Sequence, residues 1–126
     1  MSAEIGKYLD EVVREIKKYG VDAIYLFGSY ATGRVKPTSD IDVCVITKKD
    51  IPKVVKEKIL SNSSKKIDIV LFWDLPNPIR FRVLKEGKLL YERDRSALYR
   101  IKINTLRSYL DMQPMIRRNC LRILGG

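Results

Sequence analysis

Three aspartates in this sequence occupy segments that otherwise have the pattern of buried strands. Asp40 and Asp42 lie one residue apart in "SDIDVCVIT", and Asp68 interrupts the apolar run "KIDIVLFW". Because side chains alternate faces along a strand, Asp40 and Asp42 point the same way, while Ile41 and Val43 point into the core. Two like charges about 7 Å apart on one strand repel each other. A bound cation is the simplest compensation, so the pattern predicts a metal site.

Carboxylate oxygens on one rigid face suit Mg²⁺, which takes one or two carboxylates and completes its shell with water and substrate phosphate. If the strand of Asp68 neighbours the strand of Asp40 and Asp42, three carboxylates can converge on one or two ions. Such a pair of ions activates an attacking hydroxyl and stabilises the leaving group in displacement at phosphorus. The aspartates therefore predict metal-dependent phosphoryl or nucleotidyl chemistry.

The dipeptide Gly28-Ser29 ends the apolar run "DAIYLF", and ten residues separate Ser29 from Asp40. A strand that stops at Gly-Ser and turns offers backbone N–H groups and a hydroxyl to an anion. Glycine allows close approach of the backbone, and Ser29 can donate to a phosphate oxygen. A phosphate cradle beside an acidic metal site fits a nucleoside triphosphate.

Each of these features has an ordinary structural explanation when it is taken alone. A single D-x-D is usually a polar stretch of a half-exposed strand, and a single Gly-Ser is usually a turn. Asp68 could be a charge that protects an edge strand from aggregation. The combination at this spacing favours the functional interpretation.

The elements that must position these residues follow from the apolar periodicity. From Ile5 to Ile16 apolar side chains recur at helical spacing, and Gly20 follows as a stop signal. Asp50 with Pro52, and Asn77 with Pro78, mark later helix starts. The pattern predicts helices at 3–19, about 51–60, about 78–86 and about 94–124, and strands at 22–27, 40–47, 66–73 and 88–92.

This order of elements predicts an α/β (α+β) fold with a small mixed sheet, flanking helices and a long C-terminal helix. At 126 residues the chain is expected to form one domain, with a core over about 1–92 and a helical segment over about 94–124. Pro114 should kink or split that last helix.

The net charge of +10 is concentrated in the C-terminal part of the chain. Residues 1–75 carry 13 Lys/Arg against 11 Asp/Glu, whereas residues 76–126 carry 12 against 4. The asymmetry suggests an acidic partner, either nucleic acid or an acidic protein face. The alternative is a solvated surface of the kind found in Lys/Glu-rich thermophile proteins.

The remaining composition restricts the class of protein. Cys44 and Cys120 lie far apart, and the sequence has no histidine, so neither a zinc site nor a disulfide framework is expected. The apolar runs are far shorter than a membrane span, and early acidic residues interrupt any signal-peptide pattern. We expect a cytoplasmic location.

The segment "GSYATGRVKPTSDID" resembles the G-S-x10-D-x-D signature of the DNA polymerase β-like nucleotidyltransferase superfamily. Gly33 and Ser39 also match its minimal nucleotidyltransferase (MNT) branch, as do "LKEGKLLYERD" and the later "YLDMQP". The resemblance covers most of the chain. It implies the polymerase β-like nucleotidyltransferase fold, with ATP as substrate and two Mg²⁺ ions.

The resemblance also implies roles for individual residues and for a partner. Residues implied to bind the triphosphate are Gly28, Ser29 and Ser39. Residues implied to bind metal and to be catalytic are Asp40, Asp42 and Asp68, and Asp68 is also a candidate general base. Family members of this size often pair with a HEPN-domain RNase toxin and act as its antitoxin by transferring AMP from ATP to a tyrosine of the toxin. The basic C-terminal segment is then a candidate docking surface for the toxin.

Two other functions stay open at this point. The same chemistry could act on a small molecule or an RNA 3′ end, or the chain could block its toxin by binding alone. Retention of all three aspartates argues against the binding-only alternative, because unneutralised carboxylates are a liability without metal. Nucleic-acid binding and an oligomeric state also remain open.

Overall fold

The computed structural model describes residues 3–28 and 41–111, which form a mixed four-stranded sheet with helices on both faces. In chain order the elements are α1 (Ala3–Lys17), β1 (Ala23–Phe27), β2 (Ile41–Ile46), α2 (Lys53–Leu60), β3 (Ile67–Leu71), a 3₁₀ turn (Phe72–Asp74), α3 (Asn77–Glu86), β4 (Lys88–Glu92) and α4 (Arg95–Leu110). The predicted fold class is confirmed.

The strands lie in the order β3-β2-β1-β4. β1 pairs antiparallel with both β2 and β4, whereas β2 pairs parallel with β3. The end of β1 therefore meets the start of β2, and the start of β3 lies beside it. These three strand ends bring together the segments that carry Gly28, Asp42 and Asp68.

Two apolar clusters cover the two faces of the sheet. The first packs α1 and α2 on the sheet through residues such as Leu9, Ile16 and Ile59, which meet Ile41 and Val43 of β2. Because side chains alternate, the opposite face of β2 carries Asp42, Cys44 and Ile46. That second face packs against α3 and α4.

The second cluster unites the sheet with the C-terminal half of the described chain. Tyr25, Cys44 and Phe72 are buried there with Val83 of α3 and Leu98 of α4. The C-terminal helix is thus part of the core layer rather than an appendage to it.

The third strand is shorter than predicted. β3 ends at Leu71, and Phe72–Asp74 forms a 3₁₀ turn where the sequence predicted strand to residue 73. The Arg80 side chain donates to the carbonyl oxygens of Phe72 (3.0 Å) and Trp73 (2.6 Å). Because an arginine satisfies these carbonyls, no neighbouring strand is needed to do so.

Two predicted helix starts also differ. α2 begins at Lys53 after Pro52, without a side-chain cap from Asp50. α3 begins at Asn77, one residue earlier than expected, and the Asn77 side chain accepts from Arg80 instead of capping the helix. In both helices proline supplies the entry geometry, since its fixed φ suits a helix start.

The last helix begins as predicted, with Asp94 as its N-cap accepting from the backbone N–H of Ser96 at 3.0 Å. The predicted continuation to residue 124, and the kink at Pro114, lie outside the described residues. Within the described ranges, no helix is long and apolar enough to cross a membrane.

Candidate active site

Asp42 and Asp68 lie side by side on neighbouring strands. They are register partners in the parallel pair of β2 and β3, so their Cα atoms lie about 4.8 Å apart, the usual strand spacing. Both belong to the face that carries Cys44 and Val70, because Ile41, Val43, Ile67 and Ile69 fill the opposite cluster. Asp42 is half-buried and Asp68 is exposed. β3 is therefore adjacent to β2, which is the arrangement that convergence of these carboxylates requires.

Gly28 lies directly against Asp42. Phe27 is the register partner of Asp42, so the residue after β1 comes next to the Asp42 side chain. Gly28 has φ +78°, a conformation that L side chains rarely adopt, and a Cβ added there would collide with Oδ2 of Asp42. Glycine is thus required twice at this position, once by backbone conformation and once by the carboxylate.

Buried groups that remain protonated lie beneath the carboxylates. Cys44 follows Asp42 by two residues on the same face, and burial raises the pKa of its thiol to about 12. Burial also raises the pKa of Tyr25 to about 12, with smaller contributions from Glu92 and Cys44. Since neither group ionises near neutral pH, the acidic residues supply the negative charge on this part of the sheet.

The other predicted site residues lie outside the described part of the chain. Ser29, Ser39 and Asp40 all fall within residues 29–40. Their roles stay predictions from the sequence. Within residues 3–28 and 41–111, no group of three acidic, histidine or cysteine side chains comes together. The described residues thus supply two carboxylates, and Asp40 would supply the third.

The donor set fits a hard divalent cation. Two carboxylates on adjacent strands present oxygen ligands from a rigid scaffold, which is the ligand type that Mg²⁺ takes in proteins. Gly28 leaves space for the Asp42 carboxylate at this edge, and its backbone ends the strand after which the sequence predicts a phosphate cradle. The arrangement can therefore hold a metal next to a phosphate.

Sequence reasoning missed a second polar site at the far end of β2, where Lys48, Lys49, Trp73 and Arg80 line a cavity. The adjacent lysines after a strand were its only local signal. Trp73 and Arg80 belong to other elements, so the pairing depends on tertiary structure.

Comparison with known proteins relates this chain to nucleotidyltransferases. Residues 10–96, more than half of the chain, match the family described as polymerase beta, nucleotidyltransferase. A protein of Methanocaldococcus jannaschii that is named as a candidate protein adenylyltransferase is 30% identical over 99 residues, covering 79% of this chain and 78% of that protein.

Two solved structures share the fold at low sequence identity. A toxin–antitoxin structure with AMP-PNP has a TM-score of 0.69 at 18% identity, covering 93% of this chain and 98% of that one. The complex of a tri-AMPylated Shewanella oneidensis HEPN toxin with its MNT antitoxin has a TM-score of 0.58 at 20% identity, covering 98% and 94%.

Proposed function

Because this chain belongs to the polymerase β nucleotidyltransferase family, we propose that it transfers AMP from ATP to a tyrosine hydroxyl of a partner HEPN toxin, as a protein adenylyltransferase antitoxin. One observation carries the proposal: Asp42 and Asp68 are register partners, with Gly28 packed against Asp42. The relative named as a protein adenylyltransferase and the antitoxin in the complex with an AMPylated toxin support the choice of acceptor.

The described residues have separate tasks in this reaction. Gly28 lets the triphosphate approach the sheet edge, and Asp42, with Asp40, provides the metal ligands. Mg²⁺ held there, as two ions, would neutralise phosphate charge and favour ionisation of the attacking hydroxyl. Ser29 and Ser39 would donate to phosphate oxygens.

Asp68 would act as the general base, and its exposure supports this role. It is exposed, whereas Asp42 beside it is half-buried, so Asp68 can meet an acceptor that arrives on another protein. The tyrosine oxygen forms a bond to the α-phosphorus, the bond from that phosphorus to diphosphate breaks, and the hydroxyl proton passes to Asp68. AMP–protein and diphosphate are the products.

The basic C-terminal segment provides a docking surface for an acidic face of the toxin. Arg82 and Arg107 are exposed in the described part of that segment. Arg80 has a different task, because its side chain is bound to the backbone of the 3₁₀ turn. Charge reversal at Arg107 should slow association and reduce its salt sensitivity while leaving ATP binding unchanged. Because ATP and Mg²⁺ are both available in the cytoplasm, we propose that the reaction takes place there.

The test is AMP transfer to a purified HEPN partner with ATP and Mg²⁺, followed by mass spectrometry of the partner. Asp42→Asn and Asp68→Asn should each lower transfer by about 100-fold or more, and EDTA should abolish it. Asp10→Asn, an exposed acid on α1, is the matched control and should leave transfer unchanged.

Three results would contradict the proposal. Full transfer by Asp42→Asn would place the site elsewhere, and inhibition of the toxin without any adduct would indicate an antitoxin that acts by binding alone. Extension of a labelled RNA 3′ end, or modification of a small molecule with the HEPN partner left unmodified, would change the acceptor.

A further inference from the structure

A second polar site lies at the opposite end of β2 from Asp42. It is a cavity of about 400 Å³ between the end of β2, the 3₁₀ turn and the helices α3 and α4. Thr47, on its wall, follows Asp42 by five residues, which is about 16 Å along a strand. Such a volume falls within the range of about 300–1,000 Å³ that is typical of ligand pockets.

The lining of this cavity is strongly cationic. Lys48, Lys49, Arg80 and Arg100 contribute four positive charges. Asp22, the one acidic residue among the described residues of the lining, is bound to Arg93 at 2.8 Å. Among the described residues, no carboxylate lies within salt-bridge distance of those four cations. The cavity therefore holds uncompensated positive charge, which favours an anionic ligand.

Arg80 is held rigidly at this site. Its guanidinium donates to Phe72 O at 3.0 Å, Trp73 O at 2.6 Å and Asn77 Oδ1 at 3.1 Å. It also lies over the Trp73 ring, 5.1 Å from the centroid. An arginine has five N–H donors, and three of them are used in these bonds, so two remain. Because its geometry is already fixed, binding a ligand would cost little side-chain entropy.

Trp73 is also in contact with a second cation of the cavity. Lys49 Nζ lies over the same indole ring, 4.9 Å from its centroid. The indole N–H donates to the carbonyl oxygen of Thr47, which fixes the ring against the end of β2. One aromatic side chain therefore organises two positive groups around the cavity.

Several neutral polar residues of the lining can also donate hydrogen bonds. The Asn77 side chain accepts from Arg80 through its oxygen, so its amide N–H groups remain as donors. Asn104 and Ser108 of α4 add an amide and a hydroxyl. A phosphate group has three or four acceptor oxygens and matches such a donor-rich, cationic wall better than a single carboxylate does.

We propose that this cavity is a phosphate-binding site, separate from the carboxylate site, which takes the phosphates of a nucleotide or of an RNA backbone. The proposal does not depend on the transfer reaction. It requires no metal, because the lining itself is positive, whereas the carboxylate site repels phosphate unless a cation lies between them.

The test measures phosphate binding in EDTA, with the full-length protein. The probes are a short fluorescent single-stranded RNA and, separately, ATP. Lys48→Gln/Lys49→Gln/Arg100→Gln removes three charges from the cavity. Lys7→Gln/Lys53→Gln/Lys58→Gln removes three exposed charges from α1 and α2, so the two variants have the same net charge.

We expect the cavity variant to bind RNA about tenfold more weakly than the control variant. Its slope of log affinity against log salt should be smaller by about 2, from about 0.7 per phosphate contact on a single strand. Loss of RNA binding alone identifies the RNA backbone as the source of the phosphate, and loss of ATP binding alone identifies a free nucleotide. Either result, or both, supports the site.

Two results would overturn the proposal. One is an equal affinity and salt slope for the two triple variants with both probes. The other is an equal loss of binding to a poly-glutamate peptide, which would indicate a general surface for acidic proteins. Lys48→Gln/Arg100→Gln leaves the Lys49–Trp73 contact in place. This double variant replaces the triple variant if Lys49→Gln disturbs folding, and it should reduce the salt slope by about 1.4.

Discussion

Gly28→Ala should disable the active site with only a modest loss of stability. Gly28 has φ +78°, and an alanine held there should lower the free energy of unfolding by about 1–2 kcal/mol. Its Cβ would also come too close to Oδ2 of Asp42, so the carboxylate must move by about 1 Å. Displacement of a catalytic group on this scale lowers the rate by about 100-fold, or about 2.7 kcal/mol of transition-state stabilisation.

Gly20→Ala is the matched control for this substitution. Gly20 has φ +70° and nothing within 4 Å of an added Cβ. Gly20→Ala therefore has the same conformational cost of a positive φ but no collision. Denaturant unfolding should show a similar loss of stability in both variants, whereas AMP transfer to the partner should fall only in Gly28→Ala. If Gly28→Ala transfers AMP as fast as Gly20→Ala does, the contact with Asp42 has no functional importance.

Three further substitutions or treatments test the surroundings of the site. Among the described residues the buried Tyr25 hydroxyl has no hydrogen-bond partner, so Tyr25→Phe should stabilise the protein by about 1 kcal/mol in thermal unfolding. Because burial raises the pKa of Tyr25 to about 12, the unfolded chain loses this proton first, and the stability of the protein should decline between about pH 10 and pH 12. Tyr25→Phe should lack this decline, and identical alkaline profiles of the two proteins would refute it. The thiol of Cys44, with its pKa raised to about 12, should stay unreactive towards a thiol reagent at pH 8 until the protein unfolds, and rapid labelling of the native protein would contradict its burial. Arg80→Lys should lower stability by about 1–3 kcal/mol, since lysine lacks the planar fork whose separate nitrogens bind Phe72 O and Trp73 O, whereas Arg82→Lys on the exposed side of α3 should have no measurable effect in the same denaturation assay.

The sequence alone determined the type and approximate position of every helix and strand in the described ranges. Apolar periodicity and the Gly and Pro punctuation are local signals, and the strand at 88–92 and the start of the last helix near residue 94 occur where they were predicted. The residues of the carboxylate site were also identifiable from sequence, because a charged residue within an apolar strand pattern can be recognised without knowing how the strands pair. For Ser29, Ser39 and Asp40 the sequence remains the sole source of the assignment.

Only the tertiary structure decided which of these residues meet. No local pattern fixes the order β3-β2-β1-β4, and the register that pairs Asp42 with Asp68 depends on hydrogen bonds between segments about 26 residues apart. The collision of a Gly28 side chain with Asp42 depends on the same pairing. The cationic cavity brings Lys49, Trp73 and Arg80 together from three separate elements. Periodicity determines which face of its own element a side chain occupies, but its neighbours across the sheet are set by the packing of the whole core.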